Sequence, residues 1–307
     1  MEQGSMQTDI PPTHGQVRPH GVSSADSDLN VLTESMLCSP QTTPIPLHLY
    51  TFSNINQAHQ KERKMPDKDA STPRVFLIRH GQTEWSITGQ HTGKTDIPMT
   101  AEGEHQVLST GRIIYGKNKL LDPQKIAKVL VSPRTRAIKT YELLSGNNNN
   151  PSSYEIREEI AEWDYGDYEG LTPSQIRSLR SSQGLDISPA PRRPWDIWLD
   201  GCVNGESPSQ VTARIDSIIA EIKALQAPLM KPQDQKGTSA SEPKRDVVIV
   251  AHGHTTRAFA RRWLGYELSF PLSLMMEPGG VGVLSYQHQN VEEPALLLGI
   301  GFPGEQQ

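Results

Sequence analysis

The chain has 307 residues, a formal net charge of -5 and a pI of about 6.1. That balance provides no global basic field for nucleic acid or an anionic membrane, so an anion site must be a local cluster of arginine and histidine. Cys38 and Cys202 are the only cysteines, which excludes a disulfide framework and fits a reducing compartment, the cytoplasm or nucleus. No window approaches the roughly eighteen apolar residues of a membrane span.

Residues 1–73 are rich in Ser, Thr, Pro, Gln, Asn and His, without a sustained period of 2 or 3.6. Such a segment buries too little apolar surface to offset its ordering entropy, and is expected to be a disordered extension. No apolar core follows Met1, and Glu2, Asp9, Asp26, Asp28 and Glu34 disfavour a mitochondrial presequence. Met65 lies just before the first strand. The folded domain is expected over residues 74–303.

From Arg74 onward, apolar strands alternate with amphipathic helices. Strands are predicted at Val75–Ile78, Lys128–Val131, Asp246–Ala251 and Val281–Tyr286, with a weaker one at Tyr154–Arg157. Their near-continuous Val, Ile and Leu content suits strands covered on both faces. After the first strand, the polar run Gln82–Ser86 reads as loop. Thr100 caps a helix running to about Tyr115. Ser132-Pro133 opens a helix across Arg136, Ile138 and Leu144. Thr172-Pro173 starts another, with proline at the first helical position. Gly205-Glu206-Ser207 leads into a long helix with Val211, Ile215, Ile218, Ile219 and Ile222 on one face. A last helix spans Thr255 to Leu264. Ser181–Pro194 and Gln226–Arg245 interrupt the pattern, the second as a surface loop. The alternation predicts an α/β domain with a mostly parallel sheet.

The first strand ends on Arg79-His80-Gly81, where ligands of α/β sheets bind. Gly81 is read as clearing bulk so that a phosphoryl group can approach the backbone. Taken alone, a histidine at a strand end is more often a packed or solvated ring. Here Thr92 and Gly93 offer a hydroxyl and a backbone N–H to phosphate oxygens. Arg134 and Arg136 sit at a helix start, where the dipole disfavours cations and an anion would explain them; only one need point inward. His252 ends the Asp246–Ala251 strand as His80 ends the first. Two histidines beside such arginines would repel one another unless an anion lay between them. His254 reads as structural or solvent-facing.

Arg79-His80-Gly81-Gln82-Thr83, Ser132-Pro-Arg-Thr-Arg136, Glu162 and Ala251-His252-Gly253-His254 resemble the histidine phosphatase (phosphoglycerate mutase-like) superfamily, from Arg74 to Pro303. Glu162-Trp-Asp-Tyr-Gly-Asp-Tyr-Glu-Gly170, Arg193-Pro-Trp-Asp-Ile-Trp198, Asn204-Gly-Glu206 and Gly279-Gly-Val-Gly282 are most similar to its fungal sedoheptulose-1,7-bisphosphatase-like branch. The resemblance implies a three-layer fold with helices on both faces of the sheet. It implies a phosphate pocket of Arg79, His80, Arg136 and His252, with Glu162 as proton donor and Thr92 and Gly93 in a substrate loop. Compared with that branch Tyr266–Pro278 is short, so the resemblance carries chemistry further than substrate identity.

In that pocket a neutral His80 would attack phosphorus. Glu162, beside the apolar bulk of Trp163, would protonate the leaving alkoxide and then activate water. Arginine and histidine supply the positive charge, so neither a metal nor another cofactor is expected. A second phosphate needs a further cation, best Arg257, with Tyr165 and His288 as weaker substrate contacts. Arg192 and Arg193 read as a charged surface loop. The expected activity is metal-independent hydrolysis of a sugar phosphate or bisphosphate through a phosphohistidine. A phosphoglycerate mutase-type phosphotransferase and a non-catalytic phosphate sensor are the alternatives. The expected partner is a small phosphorylated substrate, neither nucleic acid nor membrane, and a homo-oligomer is left open.

Overall fold

The structure, a computed structural model, describes residues 72–146, 153–185, 193–230 and 243–299. The expected extension, except Thr72 and Pro73, and the middle of the Gln226–Arg245 loop lie outside the described residues, as does Arg192.

Side-chain alternation organises the sheet. In β1 (Val75–Arg79) and β4 (Asp246–Ala251), Val75, Leu77, Val247 and Ile249 enter one core while Phe76, Ile78, Val248 and Val250 enter the other. Both faces are buried, which explains the unbroken apolar runs. The strand order is β3-β2-β4-β1-β5-β6, with β2 at Ile126–Val131, β3 at Glu155–Ile156, β5 at Val281–Tyr286 and β6 at Pro294–Leu296. The strands β3, β2, β4 and β1 run parallel, and β5 and β6 pair antiparallel to their neighbours. The sheet is therefore mixed, and the weak fifth strand is only two residues long.

Helices α2 (Ala101–Ile114) and α3 (Thr135–Leu144) cover one face through Val107, Ala137, Tyr141 and Leu144. The other face is covered by α4 (Pro173–Ser182), α6 (Pro208–Gln226) and α7 (Gly253–Trp263), through Ile176, Ile215, Ile218, Phe259 and Trp263. Burying each such side chain contributes about 1.5–3 kcal/mol. Truncating fully buried Leu77 to alanine should cost about 2–5 kcal/mol, because it opens a cavity beneath β1.

Three local expectations are corrected. The run after Gly81 does fold as a helix, α1 (Glu84–Thr88), because Thr83 and Ser86 form a reciprocal capping box. Helix α3 begins at Thr135 with Arg134 in its extended N-cap position, later than the Ser132-Pro133 start. A one-turn helix, α5 (Ile197–Asp200), capped by Asp196, lies between Pro194 and Gly205, where no element was expected. Among the described residues no helix is long and apolar enough to cross a membrane.

Candidate active site

The parallel pairing of β1 with β4 sets Arg79 opposite Ala251. The residues that follow, His80 and His252, therefore leave the same edge side by side, their ring centroids 5.1 Å apart. His80 N–H donates to the Ala251 carbonyl at 3.0 Å, which extends the ladder by one bond and fixes the turn. Gly81 has a different reason from the one expected. A Cβ there would stand 2.6 Å from the Gly103 carbonyl and 2.9 Å from Val107, so the close approach is that of α2, not of a ligand.

His80 Nδ1 lies 2.7 Å from the Gly81 carbonyl. A carbonyl only accepts, so Nδ1 carries the proton and Nε2 keeps its lone pair. Burial, then the Arg136 charge and more weakly Arg79, push the ring pKa down to about 3 against the Gly81 hydrogen bond. His252 accepts from Arg136 Nε at Nδ1 (3.2 Å) and donates from Nε2 to Ser132 Oγ (2.6 Å). Burial, with Arg136 and His80, holds its pKa well below the usual value. The expected repulsion between two charged rings is thus relieved by deprotonation, and requires no anion.

Arg136 is buried and faces inward, as one of the two helix-start arginines should. Its Nη atoms donate to the carbonyls of Thr92 (3.0 Å), Gly93 (3.3 Å) and Thr95 (3.0 Å). It stands behind the cleft wall and supports the 92–95 loop. Arg134 joins the same loop through Gly93 O at 3.1 Å. Arg79 reaches the cleft directly. Its Nη1 is held by Met276 O at 2.7 Å, and its buried Nε has no partner among the described residues.

Glu162 also faces the cleft, and its carboxylate sits on the N-terminus of α7. Oε1 accepts the N–H of Trp163 (2.9 Å), the N–H of Thr255 (3.0 Å) and the Thr255 hydroxyl (2.9 Å). Among the described residues Oε2 accepts only the His254 N–H, at 3.0 Å. The indole bulk expected around this acid lies elsewhere: Trp163 packs against Trp198 and donates Nε1 to Glu206 O.

Arg79, His80 and Glu162 border a cleft of about 670 Å³; Arg136 and His252, expected in the same pocket, support it from behind and do not line it. Thr92, Tyr165 and Arg257 line it, as expected. Arg257 is oriented by Nε donating to Gly253 O at 2.8 Å. Gly93 does not line it. Its N–H is taken by both oxygens of Glu169 at 3.0 Å, and a Cβ there would meet Trp163 O at 2.5 Å. His288 lies outside the cleft, in an exposed turn after β5, with Nδ1 2.6 Å from Glu293.

His91 and Trp195 line the wall without having been singled out, and so do His254 and Arg193, which the sequence reading took as structural or solvent-facing and as a charged surface loop. Tyr165 Oη lies 2.7 Å from His254 Nδ1. Burial and the Glu162 charge keep the phenol protonated, so it donates, and His254 carries its proton on Nε2. His91 has the opposite tautomer, since Nδ1 donates to Leu171 O at 2.9 Å. The two imidazoles stack at 5.7 Å, and among the described residues one keeps a free donor and the other a free acceptor edge. The available signal was His91 itself, between Gln90 and Thr92 in the expected substrate loop.

This strand-edge histidine pair on a mixed α/β sheet defines a phosphoglycerate mutase-like fold. The pattern of the histidine phosphatase superfamily (branch 1) matches residues 75–230 and 233–295. A sedoheptulose 1,7-bisphosphatase of Saccharomyces cerevisiae is 36% identical over 74% of this chain and 92% of its own. An acid phosphatase of Mycobacterium tuberculosis is 34% identical over 75% and 94%. A solved structure of a Mycobacterium tuberculosis open reading frame, 32% identical, superposes with a TM-score of 0.55 over 74% of this chain and 96% of that one. The chain belongs to the histidine phosphatase superfamily. It is a phosphoric monoester hydrolase.

Proposed function

We propose that this chain hydrolyses a sugar phosphate, with a ketose bisphosphate as the preferred class, through a phosphohistidine on His80. The observation that carries this reading is the lone pair of His80 Nε2, held neutral and unprotonated on a cleft that also exposes Glu162. The Saccharomyces relative, named for a heptulose bisphosphate, supports the substrate class.

In the first step Nε2 attacks phosphorus and the P–O bond to the sugar breaks. Arg79 faces the phosphoryl oxygens, while Arg136 and neutral His252 add field and rigidity from behind. A sugar alkoxide is a poor leaving group, so Glu162 protonates it as the bond breaks. In the second step the resulting carboxylate takes a proton from water, which attacks phosphorus and releases phosphate from His80. The free edges of His91 and His254, with Tyr165 behind them, offer one acceptor and one donor to sugar hydroxyls. Arg257 meets the second phosphate. The domain responsible is residues 74–303, acting in the cytoplasm.

A panel of sugar phosphates, with 2,3-bisphosphoglycerate and 3-phosphoglycerate included, tests the reading. Phosphate release from a ketose bisphosphate without interconversion of phosphoglycerates is expected. Mutase turnover exceeding hydrolysis would replace it.

A further inference from the structure

A second cavity of about 510 Å³ lies beside the cleft, between α7, α5 and the 268–274 segment. It shares Asp196 and Arg257 with the cleft and adds Trp198, Arg261, Ser269 and Ser273. Arg257 and Arg261 are one helical turn apart and both lie over the Trp198 ring, at 5.6 and 4.0 Å from its centroid. Like charges so placed repel. Among the described residues neither guanidinium is within ion-pair distance of a carboxylate, whereas the neighbouring Arg262 pairs with Asp216 at 2.8 Å.

Arg261 is the anomaly. The residue is only 6% exposed, yet Nε and Nη1 have no hydrogen-bond partner among the described residues, and only Nη2 is engaged, with Leu272 O at 2.7 Å. Burying a guanidinium with two donors unmet is expensive unless a ligand completes it. Stacking on Trp198 offsets part of that penalty but satisfies no N–H. Asp196 stands on the rim, but its carboxylate caps α5 through Trp198 N–H at 2.9 Å. The Ser269 hydroxyl, 3.3 Å from Glu267, and that of Ser273 supply neutral polar groups around the same space.

We propose that this cavity is a second anion site, taking a small multivalent oxyanion, a dicarboxylate or a phosphate ester, and that its occupant competes with the cleft for Arg257. The anion site itself is independent of what the cleft hydrolyses; its competition for Arg257 rests on the proposed contact of Arg257 with substrate. An anion seated against Arg261 draws the Arg257 guanidinium to its side of the wall and leaves the cleft short of its outer cation. The site would then act as an inhibitory one, felt by substrates that use Arg257.

Calorimetric titration of the full chain with inorganic phosphate and, separately, with malonate tests this. Arg261→Met removes the buried cation and Ser273→Leu fills the cavity from its loop side; thermal melts establish that each variant is folded. Wild type is expected to bind one more equivalent than Ser273→Leu of at least one anion, and which anion loses its site identifies the ligand chemistry. If the cleft itself binds no phosphate, wild type falls to one site and Ser273→Leu to none, so the two readings fail separately. Saturating malonate should also raise KM for a bisphosphate by roughly 5-fold or more, the lower end of usual site coupling, and should not do so in Ser273→Leu. Equal stoichiometry and affinity for both anions in wild type and both variants would overturn the site. Binding without the rise in KM would remove Arg257 from it.

Discussion

Arg214 and Glu206 hold the backbone on both sides of Glu162. Arg214 Nη1 donates to the carbonyls of Glu159 (2.7 Å) and Ala161 (2.9 Å), while Nε and Nη2 grip the Glu206 carboxylate at 2.8 and 3.0 Å. Glu206 in turn accepts the Asp164 N–H at 2.9 Å. Both flanks of Glu162 are therefore fixed from α6 and its capping segment. Neither partner lines the cleft, so they act on Glu162 through position alone.

Loosening that clamp should damage proton transfer more than binding. Arg214→Met and Glu206→Gln are expected to lower kcat on sugar phosphates by roughly 10-fold or more, short of the 10²–10⁴-fold assigned to a whole general acid. KM should change little. Arg214→Lys, which keeps charge but loses the fork, should recover only part of the rate. A steady-state comparison that found KM raised and kcat intact would assign the pair to substrate binding instead.

The nucleophile has its own test. His80→Ala should abolish turnover, while wild type retains activity in excess chelator and accumulates an acid-labile phosphoenzyme on rapid quenching. Loss of activity with chelator, restored by magnesium, would argue for metal-assisted chemistry.

Acid stability follows from the same histidine. The pKa of folded His80 is about 3 against an ordinary 6.5, so between those values the unfolded chain binds a proton that the folded chain refuses. Stability is then unaffected above about pH 6.5 and falls as pH drops toward 3, by up to about 5 kcal/mol from this group alone. His252 and His254 shift in the same direction, chiefly through burial. Melting temperatures across pH 3–8 should decline steeply on the acid side, and His80→Asn should flatten part of that decline. An unchanged acid slope would mean that His80 is not buried neutral.

Apart from Glu162, which the family resemblance supplied, the expected catalytic residues were legible because each ends or opens a regular element. Arg79, His80 and His252 close apolar strands and Arg136 enters a helix with an apolar face, so periodicity put them at element ends, and the family resemblance grouped them into one pocket. What was hidden depends on partners distant in sequence. The Gly93 N–H looked available because Glu169, which takes it, is 76 residues away. Gly81 looked like ligand clearance because the packing of α2 against it is a tertiary contact. His254 looked incidental because its role rests on Tyr165, 89 residues away in the chain. Helix α1 was read as loop because its residues are polar and its five residues are too few for a helical period to register. The strand β6 is three residues long and only partly buried, too short for a period to register.

Specificity for a second phosphate rests on Arg257. Arg257→Ala should weaken kcat/KM for bisphosphates by roughly 10- to 100-fold, the equivalent of a lost charge-assisted contact of about 1.5–3 kcal/mol. Monophosphates should be nearly unaffected. Parallel losses on both classes would place Arg257 in the fold of the cleft rather than in recognition.

The general acid is tested by changing the leaving group. When the departing oxygen is a sugar alkoxide, proton transfer is part of the transition state, and Glu162→Gln should reduce turnover by roughly 10²–10⁴-fold. An aryl phosphate whose nitrophenolate leaves unaided does not need that proton, so phosphorylation of His80 should be largely spared. Hydrolysis of the phosphoenzyme still requires activated water, so the variant should release a burst of nitrophenol followed by a slow steady state. Glutamine is nearly isosteric, but its amide nitrogen cannot accept the bonds that Oε1 or Oε2 now takes from Trp163, His254 and Thr255. Glu162→Asp is therefore the companion variant: it keeps an acid but withdraws it by one methylene, and should retain more of the sugar-phosphate rate than glutamine. Burst amplitude and rate reduced equally for both leaving groups in Glu162→Gln would make Glu162 a structural carboxylate. The acid would then have to be sought at Asp164 or Asp167, although Asp164 is already engaged by Lys94 at 2.6 Å and Asp167 by Asn204 at 3.1 Å.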